Sequence, residues 1–234
     1  MKVGIVGGIG PESTVEYYKS IITGYQRRMR DDNYPEIVID SINMKEMLSY
    51  VAKRDWESLV QMLMKSINSL TQVGADFAVI ASNTPHVVFD RVRQTVKIPL
   101  LSIVEETCKK AETINCKRLG LLGTGFTMRE NFYHDTFLAH NMEIVLPNID
   151  EQQYIHQKLF SEIELGIVKK DTKYGLLSII DRMVEEEFID SLILGCTELP
   201  LILMEGDSSI PYFNTAEIHI NSIIDRITSS NTLK

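Results

Sequence analysis

Two short stretches carry the side chains best suited to moving protons. Ser82 opens Ser82-Asn83-Thr84-Pro85-His86, and Cys196 lies within Gly195-Cys196-Thr197-Glu198-Leu199-Pro200. Each follows a short apolar run and precedes a proline, the pattern of a strand end running into a helix start. A helix N-terminus favours thiolate, the nucleophilic and basic form of cysteine, so this position predicts a lowered pKa for Cys196. A serine hydroxyl is not ionised near neutral pH, but it can donate a proton, directly or through a water. Cys108 falls inside an amphipathic helical stretch, where core filling is expected, and Cys116 follows it without an evident partner. Thr84 is expected to cap the next helix with Pro85 at its first position, which leaves Ser82 and Asn83 in the turn and His86 on the helix surface.

Two more loops have room for a ligand. Gly7-Gly8-Ile9-Gly10-Pro11 offers glycines for close backbone approach and the free N–H groups of a helix start, an anion site in principle. It matches the dinucleotide fingerprint only in part: Ser13 stands where the third glycine belongs, and Asp40 is later than the usual ribose acid. Gly123-Thr124-Gly125-Phe126-Thr127 supplies small hydroxyls and open backbone suited to a carboxylate, with Thr127 also a possible helix cap.

The elements that must position these loops are short apolar runs alternating with longer stretches of helical period. The runs cover 2–7, 36–40, 76–81, 98–101, 118–122, 143–146, 191–195 and 210–213. Rich in Val, Ile and Leu without strict alternation, they read as parallel strands buried on both faces. Helices are expected at 12–29, 56–73, 87–95, 104–114, 128–140, 151–165, 174–188 and 216–227. Strand and helix in alternation mean an α/β fold with right-handed crossovers. The chain also repeats itself. Val3–Gly8 (VGIVGG) returns as LGLLGT at 119–124, FAVIASNTP at 77–85 as LILGCTELP at 192–200, and IPL at 98–100 as IPY at 210–212. The architecture expected is two pseudo-symmetric lobes, each a small parallel β-sheet flanked by helices, with residues 1–97 plus 214–234 in one and 98–213 in the other. Ligands of such sheets bind beyond the carboxyl ends of the strands, so the active site is expected in the crevice between the lobes. Ser82 and Cys196 are repeat mates, and would meet one small substrate from opposite faces. That suits taking a proton from one face of a carbon and returning one to the other.

The 234 residues are 44% hydrophobic and 24% charged, ordinary for a globular protein, with a net charge of −8. An acidic chain without basic blocks predicts no nucleic-acid or anionic-membrane partner. Three scattered cysteines and five histidines, with no CxxC, HExxH or HxH, predict neither disulfides nor a metal site. A glycine-rich start and the lack of long apolar runs predict a soluble cytoplasmic protein without a secretory leader.

Taken with their order along the chain, four segments resemble the aspartate/glutamate racemase family: GIVGGIGPEST (4–14), SNTPH (82–86), LLGTGFTM (121–128) and GCTELPLIL (195–203). The resemblance implies the two-lobed α/β fold, often as a homodimer, and an isomerase that needs no pyridoxal phosphate or other cofactor. It implies two cysteines acting as base and acid at the α-carbon of an amino acid. The second corresponds to Cys196. Ser82 stands in place of the first, similar to an L-aspartate/L-glutamate-specific branch that carries threonine there. Cys196 would then serve the L-face and Ser82 the D-side, with asymmetric kinetics. Substrate contacts map to Ile9, Gly10, Asn83, Thr84, Thr124, Thr127 and Thr197. The basic residues that grip carboxylates in some members are not evident: Met47 falls near an expected arginine, with Lys45 close by, and Glu164 falls near an expected lysine. The readings in competition are a one-cysteine relative, a decarboxylase or maleate-type isomerase, and an amino-acid-binding homologue with little turnover.

Overall fold

A computed structural model describes residues 1–30 and 32–229. The chain divides into two units, Met1–Glu106 with the stretch from Ala216 onward, and Thr107–Thr215.

In the first unit, β1 (Lys2–Gly7) leads into α1 (Pro11–Met29), then β2 (Glu36–Ser41), α2 (Met44–Lys53), α3 (Trp56–Gln72) and β3 (Phe77–Ile80). A 3-10 turn at Thr84–Val88 and α4 (Phe89–Arg93) follow, then β4 (Leu100–Leu101) and α5 (Ile103–Thr113), within which the chain passes to the second unit. The second unit holds β5 (Arg118–Leu122), α6 (Gly125–Arg129), α7 (Phe132–Leu138), β6 (Glu143–Val145) and α8 (Ile149–Ser161). After a 3-10 turn at Ile163–Leu165 come α9 (Lys170–Glu187), β7 (Ser191–Leu194), a second 3-10 turn at Leu199–Leu201 and β8 (Tyr212–Asn214). The last helix, α10 (Thr215–Ser229), returns to the first unit.

Both sheets are wholly parallel and share one topology, β2-β1-β3-β4 and β6-β5-β7-β8. This is the internal repeat in three dimensions. Gly4 pairs with Ala78 as Gly120 pairs with Leu192, and Ser82 and Cys196 each sit two residues past the third strand of their sheet. β3 and β7 are buried at every residue, as strands covered by helices on both faces must be. In the first unit Val3, Ile5, Phe77 and Val79 pack with Tyr17, Ile21 and Tyr25 of α1 and with Ile220, Ile223 and Ile224 of α10. In the second, Leu122, Leu192 and Leu194 pack with Ile155 and Leu159 of α8 and Leu176, Ile180 and Met183 of α9.

The division between units differs from the expected one at residue 97. Leu100 and Leu101 pair with Ala78 and Val79, so β4 completes the first sheet and the crossing comes later. Asn214 pairs with Leu194 and stays with the second sheet. The helix expected at 87–95 begins as a 3-10 turn at Thr84, and the one expected at 128–140 is two helices interrupted at Glu130–Asn131. Among the described residues, no helix is long and apolar enough to cross a membrane.

Candidate active site

In the first unit, two loops gather at the carboxyl ends of β1 and β3. Gly8 takes a left-handed φ of 81°. A β-carbon there would come within 2.5 Å of the Ile42 carbonyl oxygen and of Ser41 Oγ, so only glycine fits. The Gly8 N–H donates to Thr14 Oγ1 at 2.8 Å, and that hydroxyl donates to the Gly10 carbonyl at 3.0 Å. Ile9 is buried, and Gly10 sits at the N-cap of α1 with Pro11 in the first turn and no side-chain cap, which leaves early N–H groups for a ligand.

At the end of β3, Ser82 is half-buried and Asn83 is buried. The position before the 3-10 turn is Asn83, without a side-chain cap, and Thr84 is the turn's first residue. The expected cap at Thr84 is therefore displaced by one residue, because Thr84 already belongs to a tight turn rather than preceding an α-helix. His86 departs further from expectation. It is only 4% exposed, donates through Nδ1 to the Ser82 carbonyl oxygen at 2.9 Å, and stacks on Phe89 at 4.7 Å. Burial, with His219 nearby, pulls its pKa down to about 3. The turn tucks the ring under its own loop instead of presenting it to solvent.

In the second unit, Thr124 is the N-cap of α6, accepting from the Thr127 N–H at 3.2 Å, and its hydroxyl lies 3.2 Å from Thr127 Oγ1. The capping expected of Thr127 thus belongs to Thr124. Thr127 is fully buried, and His156 Nδ1 accepts from the Gly125 N–H at 3.2 Å.

Cys196 follows β7 and is 7% exposed. Its thiol donates to Glu198 Oε2 at 3.0 Å, and Thr197 Oγ1 donates to the same oxygen at 2.8 Å. Contrary to expectation, the thiol is pushed well above its ordinary value, first by burial and then by the Glu198 carboxylate, with Glu164 adding to it. The helix that was to stabilise thiolate is a single 3-10 turn, too short to gather a macrodipole, and the nearest charges are negative. At rest Cys196 is a neutral thiol in hydrogen bond with a carboxylate.

Sequence reasoning gave no role to Glu198 and saw Glu164 only as a missing lysine. The Cys196 sulfur and the carboxylates of Glu164 and Glu198 lie within 4.8 Å of one another, close enough to share a cation. Burial and the facing Glu198 push Glu164 up to about 7. Its placement comes from Glu162 at the end of α8. That buried carboxylate accepts from Lys158 at 2.7 Å, Lys169 at 3.2 Å and the Thr172 hydroxyl, and these contacts hold it down to about 2. Glu162 and fully buried Ile163 pin the 3-10 turn that carries Glu164. A glutamate two residues past a candidate cysteine is visible in sequence. Glu164, thirty-two residues upstream of Cys196, depends on tertiary packing.

The remaining thiols are inert by placement. Cys108 is 1% exposed, and burial raises the pKa of Cys116.

Two parallel sheets of identical order, with hydroxyl, amide and thiol groups at their carboxyl ends, define an α/β protein built from two like units. A Yersinia pestis protein crystallised as a candidate Asp/Glu racemase superposes with a TM-score of 0.91 at 28% identity, covering 97% of this chain and 99% of that one. An aspartate racemase homologue from Pyrococcus horikoshii OT3 gives 0.86 at 36% identity over the same shares. The broad specificity amino-acid racemase RacX of Bacillus subtilis is 26% identical over 219 residues, 92% of each chain. Residues 6–223 match the Asp/Glu/hydantoin racemase family, and the chain belongs to it.

Proposed function

We propose that the chain is an amino-acid racemase that needs no cofactor and works by proton transfer at the α-carbon, with Cys196 as the base and acid on the L-face and Ser82 on the other. The observation that carries this reading is the Cys196 thiol hydrogen-bonded to Glu198 at the end of β7, in a family of racemases. The α-proton of an amino acid is a very weak acid, and a neutral thiol cannot remove it. Glu198 supplies the missing step by taking the thiol proton. The thiolate so formed takes the α-proton from the L-substrate, and Ser82 returns a proton to the opposite face, directly or through a water. Ile9, Gly10, Asn83, Thr84, Thr124, Thr127 and Thr197 are assigned to the substrate, and their N–H and hydroxyl donors stabilise the carbanion. A homodimer in the cytoplasm is the form expected for it.

Proton NMR of L-amino acids in D₂O, with a chiral assay of products, tests the reading. Expected are loss of the α-proton signal, appearance of D-product, and abolition of both by Cys196→Ala. Free enantiomers have equal energy, so kcat/KM must be the same in both directions. A lower kcat from the D-side comes with a lower KM, and Ser82→Cys raises D-side exchange. Exchange that survives Cys196→Ala overturns the mechanism. Turnover of malonate-type or maleate-type acids without α-proton exchange would replace it with a one-cysteine decarboxylase or isomerase, and binding without exchange with a binding homologue.

A further inference from the structure

His86 is buried, yet it uses only half of its ring. Nδ1 donates to the Ser82 carbonyl oxygen at 2.9 Å, while Nε2 is buried without a hydrogen-bond partner among the described residues. A nitrogen orphaned in this way costs at least as much as one neutral hydrogen bond contributes, so the polarity of the ring adds little to stability. What the ring does fix is the backbone at the end of β3. Its Nδ1 holds the Ser82 carbonyl, and the His86 N–H donates to the Asn83 carbonyl at 3.0 Å. One residue thus holds two successive peptide planes. The ring is itself clamped: it stacks on Phe89 with the planes 11° apart, and the Arg93 guanidinium lies 4.5 Å over the Phe89 ring.

In a trans peptide the C=O and the N–H point in opposite directions. Among the described residues the one cis bond is Ile9–Gly10, so both peptides held by His86 are trans. With their carbonyls turned to His86, these planes aim the Asn83 and Thr84 N–H groups away from it. Asn83 and Thr84 are residues assigned above to the substrate.

We propose that His86 is a positioning residue, which holds the Ser82 and Asn83 carbonyls so that the Asn83 and Thr84 N–H groups meet the substrate carboxylate and Ser82 stays beside the α-carbon. The inference rests on the racemase reading of this site. As the α-proton leaves, negative charge moves from the α-carbon onto the carboxylate oxygens. Donors already aimed at those oxygens stabilise that charge without reorganising. His86 touches no reacting atom and moves no proton. Its effect is on geometry, to which such reactions are steeply sensitive.

The test measures α-proton exchange in D₂O, formation of D-product and melting temperature for the native protein and three variants. The substrate is the fastest-exchanging member of a panel of L-amino acids. His86→Leu removes the bond and the orphaned nitrogen together. Expected are a kcat lower by about ten- to hundred-fold, a KM little changed and a melting temperature close to the native one. His86→Asn carries an amide N–H where Nδ1 stood and recovers most of kcat. His86→Gln carries its amide where Nε2 stood and does not. Nitrogen-15 NMR of the native protein finds the ring proton of His86 on Nδ1. Full activity in His86→Leu overturns the proposal, as does equal loss in the Asn and Gln variants, or a proton found on Nε2. Activity that falls only in step with the folded fraction makes the role structural and overturns it too. If the native protein binds an amino acid but exchanges no α-proton, the racemase reading falls. Affinities for that ligand that are higher in the native protein and His86→Asn than in the Gln and Leu variants then uphold the positioning role, and equal affinities overturn it. No binding at all overturns both.

Discussion

His86 and His219 are both buried in the first unit, His219 between Tyr17 and the Leu101 carbonyl oxygen. Burial lowers their pKa values to about 3 and about 4. The unfolded chain binds protons that the native rings refuse, so both make stability fall as pH drops below 6.5 towards those values. His156, also lowered by burial, acts in the same sense. Glu164 acts in the opposite one. Its native value of about 7 means the folded chain keeps a proton that the unfolded carboxyl has released, and that contribution is lost as pH rises from 4.5 to 7. Between pH 6 and pH 5 the balance is about one proton or more, a loss of about 1.4 kcal/mol per pH unit. Urea unfolding at pH 6.0, 5.5 and 5.0 measures it, and Glu164→Gln, which removes the opposing group, should roughly double the slope. A flat profile would mean the two histidines are protonated in the folded protein.

At the scale of elements, the loop after β1 depends on a residue without a side chain. Gly8 and Gly166 both have left-handed φ angles, 81° and 72°, but a β-carbon at Gly166 meets nothing within 4 Å, whereas at Gly8 it meets backbone. Gly166→Ala should cost about 1 kcal/mol, the conformational penalty alone, and Gly8→Ala more than about 2 kcal/mol. Chemical denaturation compares the two, and equal costs would show that the loop yields. The elements were largely legible before the structure. All eight strands among the described residues fall where apolar runs stand between turn residues, because a strand buried on both faces leaves a continuous mark. α2 was not foreseen, although Met44, Met47, Leu48 and Val51 carry helical spacing and Met47 and Val51 are buried. Of the site, Cys196 and the hydroxyl loops were legible as junction residues. The direction of the Cys196 shift was not, since it follows first from burial, then from Glu198, with a smaller push from Glu164, and the burial and the approach of Glu164 come only from tertiary packing.

At the scale of the whole molecule, the second unit is one continuous stretch and the first is not. Ile220, Ile223 and Ile224 of α10 share a core with β1, β3 and α1. Deleting the chain from Ala216 onward should strip hydrogen-exchange protection from β1 and β3 while β5 and β7 keep theirs. Loss of protection in both sheets together would show that the units fold as one.

The same interruption puts a delay into biosynthesis. A ribosome that has delivered β1 to β4 must translate all of Thr107–Thr215 before it reaches the helix that finishes the first core. At about 5–20 residues per second, that is an interval of about 5 to 20 seconds. Throughout it the nascent first unit displays an uncovered apolar face to chaperones and proteases, while the later-made unit is complete before α10 emerges.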